Sequence, residues 1–283
     1  MILVTGATGR IGSALARILT EQNVPARALV RSPEKGRGLS GQIEPVVGDL
    51  ADPGTLGPAL DGVDVLFLLT PFAPGQVVLA TGAADAAARA GVGHVVRLSA
   101  QGADPGSPLA VGREHGEVER HIESLGVGWT HLRPAAFMEN TLSYAETIRS
   151  GGQFFAPLED AAIAYVAAGD VARVAAEVLT HPDEHAGRAY DLTGPEPLGQ
   201  ATIADAITEA TGRPVTYVSV APEAAGEGMR TGGLPPESVA ALLELFAAWR
   251  DGTGATLTDT VERLAGPPTT YAEWARAHAG AFR

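Results

Sequence analysis

The chain has no cysteine and a single lysine, Lys35, in 283 residues. Without cysteine there can be no disulfide, no thiolate nucleophile and no cysteine-ligated zinc, and the composition fits a reducing compartment. Long apolar runs are also missing: even the alanine-rich stretches carry Asp, Glu or Arg every few residues, so no membrane-spanning segment is expected. Nor is there a basic patch. The net charge of −13 repels nucleic acid and anionic membranes, which argues against direct contact with either; the acidity serves solubility. Ser99 lacks the flanking glycines of a nucleophile elbow, so a hydrolase triad is not expected. His181 and His185 are four apart, but Pro182 breaks the helix that would pair them and no third ligand is near, so no metal site is expected. With a strand starting at Ile2, no signal peptide is expected, and the expectation is a soluble, cytoplasmic protein.

What is present begins with the first dozen residues, Met1-Ile-Leu-Val-Thr-Gly-Ala-Thr-Gly-Arg-Ile-Gly12. Ile2 to Val4 have strand preference, Gly6, Gly9 and Gly12 follow at three-residue spacing, and an Ala/Leu/Ile pattern of helical period starts straight after. The order strand, glycine turn, helix is that of a dinucleotide site. Glycine accepts the backbone angles of the turn and lets the chain approach a pyrophosphate, whose charge the N–H groups and dipole of the helix N-terminus favour. A tight turn without a ligand would use the same residues; the position between strand and helix favours the nucleotide.

Strands alternate with helices through the next hundred residues. Expected strands are 26–31, 43–47, 63–69, 94–99 and 129–134, with helices at 10–21, 76–90 and 113–125. That pattern gives an α/β fold: a Rossmann-type, doubly wound parallel sheet. At the end of the second strand, an acid would select the ribose 2′-OH of NAD and a cation the 2′-phosphate of NADP. Arg31 stands there, with Lys35 and Arg37 nearby, so NADP(H) is the expected cofactor, the other reading being an ordinary basic loop. Asp49, after the third strand, could border an adenine or cap a helix.

From Phe137 the order is less regular. Helices are expected at 138–148, from Asp170 as cap through 179, at 201–211, 237–250 and 271–278, the last capped by Thr269 or Thr270. Short strands are expected near 154, at 164–166, 188–192 and 215–220, and a loop or lid at 226–236. Residues 1–150 are expected to form the NAD(P)-binding domain, with 163–192 returning to it, and 151–283 a smaller substrate-binding part.

Together Gly6-Ala-Thr-Gly-Arg-Ile-Gly12, Arg31, Gly48-Asp49, Thr70-Pro71, His115-Gly-Glu-Val-Glu119, Trp129-Thr-His-Leu-Arg-Pro134, Phe137-Met-Glu-Asn140, Gly169-Asp-Val-Ala172 and Asp191-Leu-Thr-Gly-Pro195 resemble the NmrA-like branch of the atypical short-chain dehydrogenases. Among bacterial members the likeness is to NAD(P)H:quinone oxidoreductases, and it runs from Met1 to about Val220. The resemblance implies that Gly6, Thr8, Gly9, Arg10, Ile11 and Gly12 hold the pyrophosphate and Arg31 the 2′-phosphate. It implies that Asp49 and Leu50 border the adenine, and Leu69 and Thr70 the ribose beside the nicotinamide. Ser99 would line the cofactor.

One departure bears on the chemistry. Typical short-chain dehydrogenases carry Tyr and Lys four residues apart on the helix after the fifth strand. In the resembling frame those positions hold Val111 and His115, and no Tyr-x-x-x-Lys pair exists anywhere in the chain. His115 could replace a catalytic base, oriented by Glu119 one turn on, or the two could be a partly solvated helix pair. Phe137, Asn140 and Tyr144, with Met138, Phe154 and Phe155, could wall a flat aromatic substrate or be core. Two functions fit: an NADPH-dependent oxidoreductase passing hydride to a quinone-like or conjugated carbonyl acceptor, or a non-catalytic redox sensor that binds NADP(H) and acts through protein contacts.

Overall fold

The computed structural model describes residues 1–39 and 42–283. In chain order the elements are β1 (Ile2–Val4), α1 (Arg10–Glu21), β2 (Ala26–Val30), α2 (Pro33–Gly36), β3 (Ile43–Val47), α3 (Gly57–Leu60), β4 (Val65–Leu68), α4 (Gln76–Arg89), β5 (His94–Leu98), α5 (Ala110–Ser124) and β6 (Gly128–Pro134). Then come α6 (Ala145–Gly151), β7 (Gln153–Ala156), α7 (Ala168–Thr180), β8 (Arg188–Leu192), α8 (Gln200–Thr211), β9 (Thr216–Ser219), α9 (Pro222–Thr231), α10 (Pro236–Arg250), α11 (Thr260–Ala265) and α12 (Tyr271–Ala277).

Seven strands form one sheet in the order β3-β2-β1-β4-β5-β6-β8, and the pairs from β3 across to β6 are parallel. This is the Rossmann-type α/β sheet. Its central strands β1, β4 and β5 are buried throughout. That is why β1 and β4 read as unbroken apolar runs, and β5 as one interrupted only by His94 and Arg97: helices cover both faces. On one face Leu3, Leu66, Leu68 and Val95 pack with Ala80, Ala84 and Ala87 of α4 and with Val118 and Ile122 of α5. Small alanines let α4 lie close to the strands, while α1 packs against α7.

The chain divides into two compact units. The first is Met1–Pro134 with Ala168–Asp191, the second Ala135–Ala167 with Leu192–Arg283. The expected division at 150 thus falls earlier, after β6, because Met138 and Ile148 are buried with Phe154 in the second unit's own core. The returning segment is α7 with most of β8. The second unit has a two-stranded parallel sheet, β7 with β9, and a core built on Phe154, Ile203, Ile207, Tyr271, Trp274 and Phe282.

Four local expectations change. The loop expected at 226–236 shrinks to residues 232–235: α10 starts at Pro236, and α9, opened by Pro222 in its first turn, runs to Thr231. Gly226 is tolerated there because its bare Cα faces α10, where a Cβ would lie 3.2 Å from Leu243 Cδ1. Residues 164–166 form no strand ladder; Val166 makes an isolated bridge to Phe137, and Ile163 one to Leu198. Asp170 does not cap α7, which starts at Ala168, but stands in its first turn and pairs with Arg173 at 3.1 Å. The stretch from Met138 to Tyr144 is a tighter 3-10 helix that leads into α6. Thr270 does cap α12, in a reciprocal capping box with Glu273.

Candidate cofactor and active site

The glycine turn is built by close approach. Gly6 has φ +65° and accepts the Gly9 N–H at 2.9 Å. A Cβ on Gly12 would lie 2.2 Å from the Gly6 carbonyl oxygen, and one on Gly6 would lie 2.8 Å from Leu69 Cδ2. Side chains at these positions would collide with the turn's own backbone and with Leu69, so the turn can close this tightly only with glycine. Gly9 is the N-cap of α1 and offers no side chain to cap the first turn, which contains no acid. Thr8, Gly9 and Arg10 are exposed, whereas Ile11 and Gly12 are buried and anchor the turn.

Parallel register brings the carboxyl ends of β3, β2 and β1 side by side. Arg31 lies exposed immediately beyond β2 and pairs with no carboxylate among the described residues, while the nearby Arg37 pairs with Glu34 at 3.9 Å. Asp49 follows β3 and shapes its own loop: its Oδ1 accepts the Ala51 N–H at 3.0 Å, and its N–H donates to Thr55 Oγ1 at 2.9 Å. Leu50 is half-buried against the first unit's core.

The other end of the edge is organised by Thr5 and Arg97. Thr5 Oγ1 accepts the Leu69 N–H at 2.7 Å and lies 2.9 Å from the Leu69 carbonyl. Arg97 on β5 is buried, and donates from Nη1 to the Leu68 carbonyl at 3.1 Å and from Nη2 to Thr70 Oγ1 at 3.0 Å. Burial lowers its pKa to about 10. Among the buried polar atoms with no hydrogen-bond partner in the described residues are three of this group, Arg97 Nε, Ser99 Oγ and His115 Nδ1. Such groups are costly unless a ligand or water satisfies them. Together with the open cradle at Gly6–Gly12, they fit a dinucleotide.

The sequence left His115 and Glu119 either as a base with its orienting acid or as a partly solvated helix pair; in the structure Glu119 turns to another partner. Glu119 is buried and gives its carboxylate to Arg133 of β6, Oε1 accepting from Nε at 2.9 Å and Oε2 from Nη2. That hydrogen bonding raises the pKa of Arg133. His115 is left without the acid that would hold its proton. Burial first, and then the charge of Arg97, lower its pKa to about 3, so its imidazole is neutral at physiological pH. A base with a pKa near neutrality, as expected from the residue type, is not what this environment makes. His131, also buried, faces Glu123 at 3.1 Å, and burial lowers its pKa; burial raises that of Asp191.

Phe137, Asn140 and Tyr144 belong to the second unit. Asn140 is exposed and Phe137 half-buried. Tyr144 is half-buried against the second unit's core, where it stacks on Phe154 with centroids 5.4 Å apart, and burial pushes its hydroxyl up to about 12. Arg97 was not anticipated. Its sequence signal is a cation two residues before Ser99 in an otherwise apolar strand, which places both on one face. His181 and His185 turn to separate partners, Glu177 and Tyr190.

A glycine cradle opening onto the carboxyl edge of a parallel sheet defines the Rossmann-type dinucleotide-binding class. The chain belongs to the NmrA-like family, whose model matches residues 1–274. It is similar to the NAD(P)H azoreductase of Xenophilus azovorans, at 42% identity over 284 residues covering 100% of this chain and 99% of that one. It is also similar to the NADPH-dependent quinone oxidoreductase of Escherichia coli solved with NADPH, at TM-score 0.88 and 30% identity, covering 98% and 99% of the two chains. A third likeness is to the Citrobacter sp. triphenylmethane reductase complexed with NADP(H), at TM-score 0.86 and 25% identity, covering 99% and 100%.

Proposed function

We propose that this NAD(P)H-dependent oxidoreductase uses NADPH to reduce flat, conjugated aromatic acceptors of the quinone or azo type. When bound, the nicotinamide supplies a hydride. The observation that carries the acceptor class is the state of the helix after β5: Val111 and His115 stand where an alcohol dehydrogenase keeps Tyr and Lys, and His115 is half-buried, with its Nδ1 out of solvent, and neutral. With no acid there to protonate an isolated alkoxide, the chain suits acceptors that spread the incoming charge onto an oxygen or nitrogen that water can protonate. A quinone takes one hydride from NADPH and one proton from solvent to give the hydroquinone.

In this reading Gly6, Thr8, Gly9, Arg10, Ile11 and Gly12 hold the pyrophosphate, and Arg31 holds the 2′-phosphate. Asp49, through its loop, and Leu50 border the adenine. Leu69, Thr70 and Ser99 receive the nicotinamide riboside, with His115 as a neutral hydrogen-bonding group. Phe137 and Asn140 are candidates for contacting the acceptor. The alternative of a non-catalytic sensor has less support, since relatives matching along the whole chain are named as reductases.

The test is turnover. Purified protein with NADPH is offered quinones, azo dyes and simple ketones, and loss of the nicotinamide absorbance is followed. Oxidation with the conjugated acceptors and none with the ketones is expected. Tight NADPH binding with no oxidation by any acceptor would overturn the reading in favour of the sensor.

A further inference from the structure

Arg97 is 1% exposed and among the largest fully buried side chains of the protein. Stripping a guanidinium of water costs several kcal/mol, and a leucine or methionine would fill the same layer without that cost. On β5, Val95, Arg97 and Ser99 share a face, and Val95 packs with Val118 and Ile122 of α5. The guanidinium therefore lies in the layer between the sheet and α5. No carboxylate bonds to it among the described residues; Glu119, committed to Arg133, balances its charge from a distance.

What Arg97 does bond is the end of β4. Its register partner is Leu68, the last residue of that strand, and its two Nη groups reach the Leu68 carbonyl and Thr70 Oγ1. Just beyond β1, Thr5 holds the intervening Leu69 through both its N–H and its carbonyl. The segment Leu68–Thr70 thus leaves the sheet under the control of two side chains. Its Leu69 is also the side chain that closes against Gly6.

We propose that Arg97 is a positioning residue, clamping Leu68–Thr70 at the sheet edge in the geometry that receives the nicotinamide riboside. This rests on the NADPH site described under Proposed function. A planar fork suits the task because it reaches two acceptors at fixed separation, which a lysine ammonium does not. The same charge acts on His115, which bears on how the site responds to pH. Of the other charged groups, Glu119 on α5 acts on Arg97 and is itself bonded to Arg133 of β6 and near Asp191 of β8, while Glu114, next to His115, is bonded to Gln76 of α4.

Three variants test it: Arg97→Met, Arg97→Lys and Thr70→Val. Three readouts are taken: the NADPH dissociation constant, the single-turnover rate of hydride transfer to a quinone, and the imidazole NMR titration of His115 in cofactor-free protein. Thr70→Val should weaken NADPH binding or slow hydride transfer by about tenfold, the scale of one lost hydrogen bond, and leave the His115 titration unchanged. Arg97→Lys should show the same loss with His115 still uncharged at neutral pH. Arg97→Met should add a rise in the His115 midpoint. If Thr70→Val and Arg97→Lys both match the parent in NADPH affinity and hydride transfer, the clamp is overturned, and these two decide the matter should Arg97→Met not fold. A parent enzyme that reduces no acceptor would overturn the acceptor class instead, while NADPH affinity and the His115 titration would still judge Arg97.

Discussion

Glu119 on α5 holds Arg133 on β6 by two bonds from one carboxylate, and so takes itself away from His115, four residues earlier on the same helix. The pair is structural: the glutamate side chain is 4% exposed and the arginine 27%. Glu119→Gln should destabilise the fold by about 3 kcal/mol, since it leaves a largely buried guanidinium without its counter-charge. The double variant Glu119→Gln with Arg133→Met should recover part of that loss. Urea unfolding of the four proteins measures the coupling; an additive double variant would mean that the two residues do not act as a pair.

Arg31→Ala should weaken NADPH binding about ten- to a hundredfold and leave NADH binding nearly unchanged, as expected from losing a charge-assisted phosphate contact worth about 1.5–3 kcal/mol. Fluorescence titration with both cofactors checks this. Equal weakening of the two would remove Arg31 from the 2′-phosphate site.

Gly12→Ala should be among the most damaging small substitutions in the chain, because the new methyl would lie 2.2 Å from the Gly6 carbonyl oxygen and 2.7 Å from Ala7 Cα. Both neighbours are backbone, so relief requires the turn to open, at a cost of about 1–3 kcal/mol. A lower melting temperature with NADPH affinity reduced at least tenfold is the expected result. Gly57→Ala, where a Cβ meets nothing within 4 Å, is the control.

Stability should fall on acidification from about pH 6.5. Burial lowers the folded-state pKa of His94, His131 and His115, the last to about 3. The unfolded chain therefore takes up protons first. The stabilisation is complete above the unfolded pKa of about 6.5 and is lost progressively as pH drops towards the folded value, at up to about 1.4 kcal/mol per pH unit for each group. His115→Gln should flatten the dependence between about pH 6 and 4. Because His115 is neutral in the fold, Gln should also keep more of the hydride-transfer rate than Leu, which cannot hydrogen-bond. Parallel urea midpoints across the pH range, with single-turnover rates, test both parts.

Much of the first unit was legible because short-range chemistry fixes it. The apolar strands, the glycine turn and the helix starting at Arg10 announce themselves through period and backbone freedom. The exposed place of Arg31 follows once the end of β2 is known. The second unit was less readable, since its elements are short and its core is assembled from distant segments. Glu139 bonds the Trp274 indole at 3.1 Å, and Thr141 the Tyr271 hydroxyl at 2.6 Å. No local pattern at Glu139 or Thr141 points to partners more than a hundred residues away. The glycines and paired prolines of 226–236 misled for a related reason: read alone they mark a loop, but the packing of Gly226 against α10 makes it part of a helix.

By itself the sequence determined the dinucleotide class, through the glycines between β1 and α1, and it left open what stands in for the Tyr-Lys pair it lacks. The class and the lack both follow from residue identity and spacing alone. The tertiary structure decided what stands in for the missing pair. The partners that set a side chain's charge come from other elements: Arg133 from β6 takes Glu119, and Arg97 from β5 bears on His115. The pKa of an imidazole depends on how much water surrounds it and which charges stand nearby. No spacing along α5 could encode that, and only the folded sheet made His115 neutral.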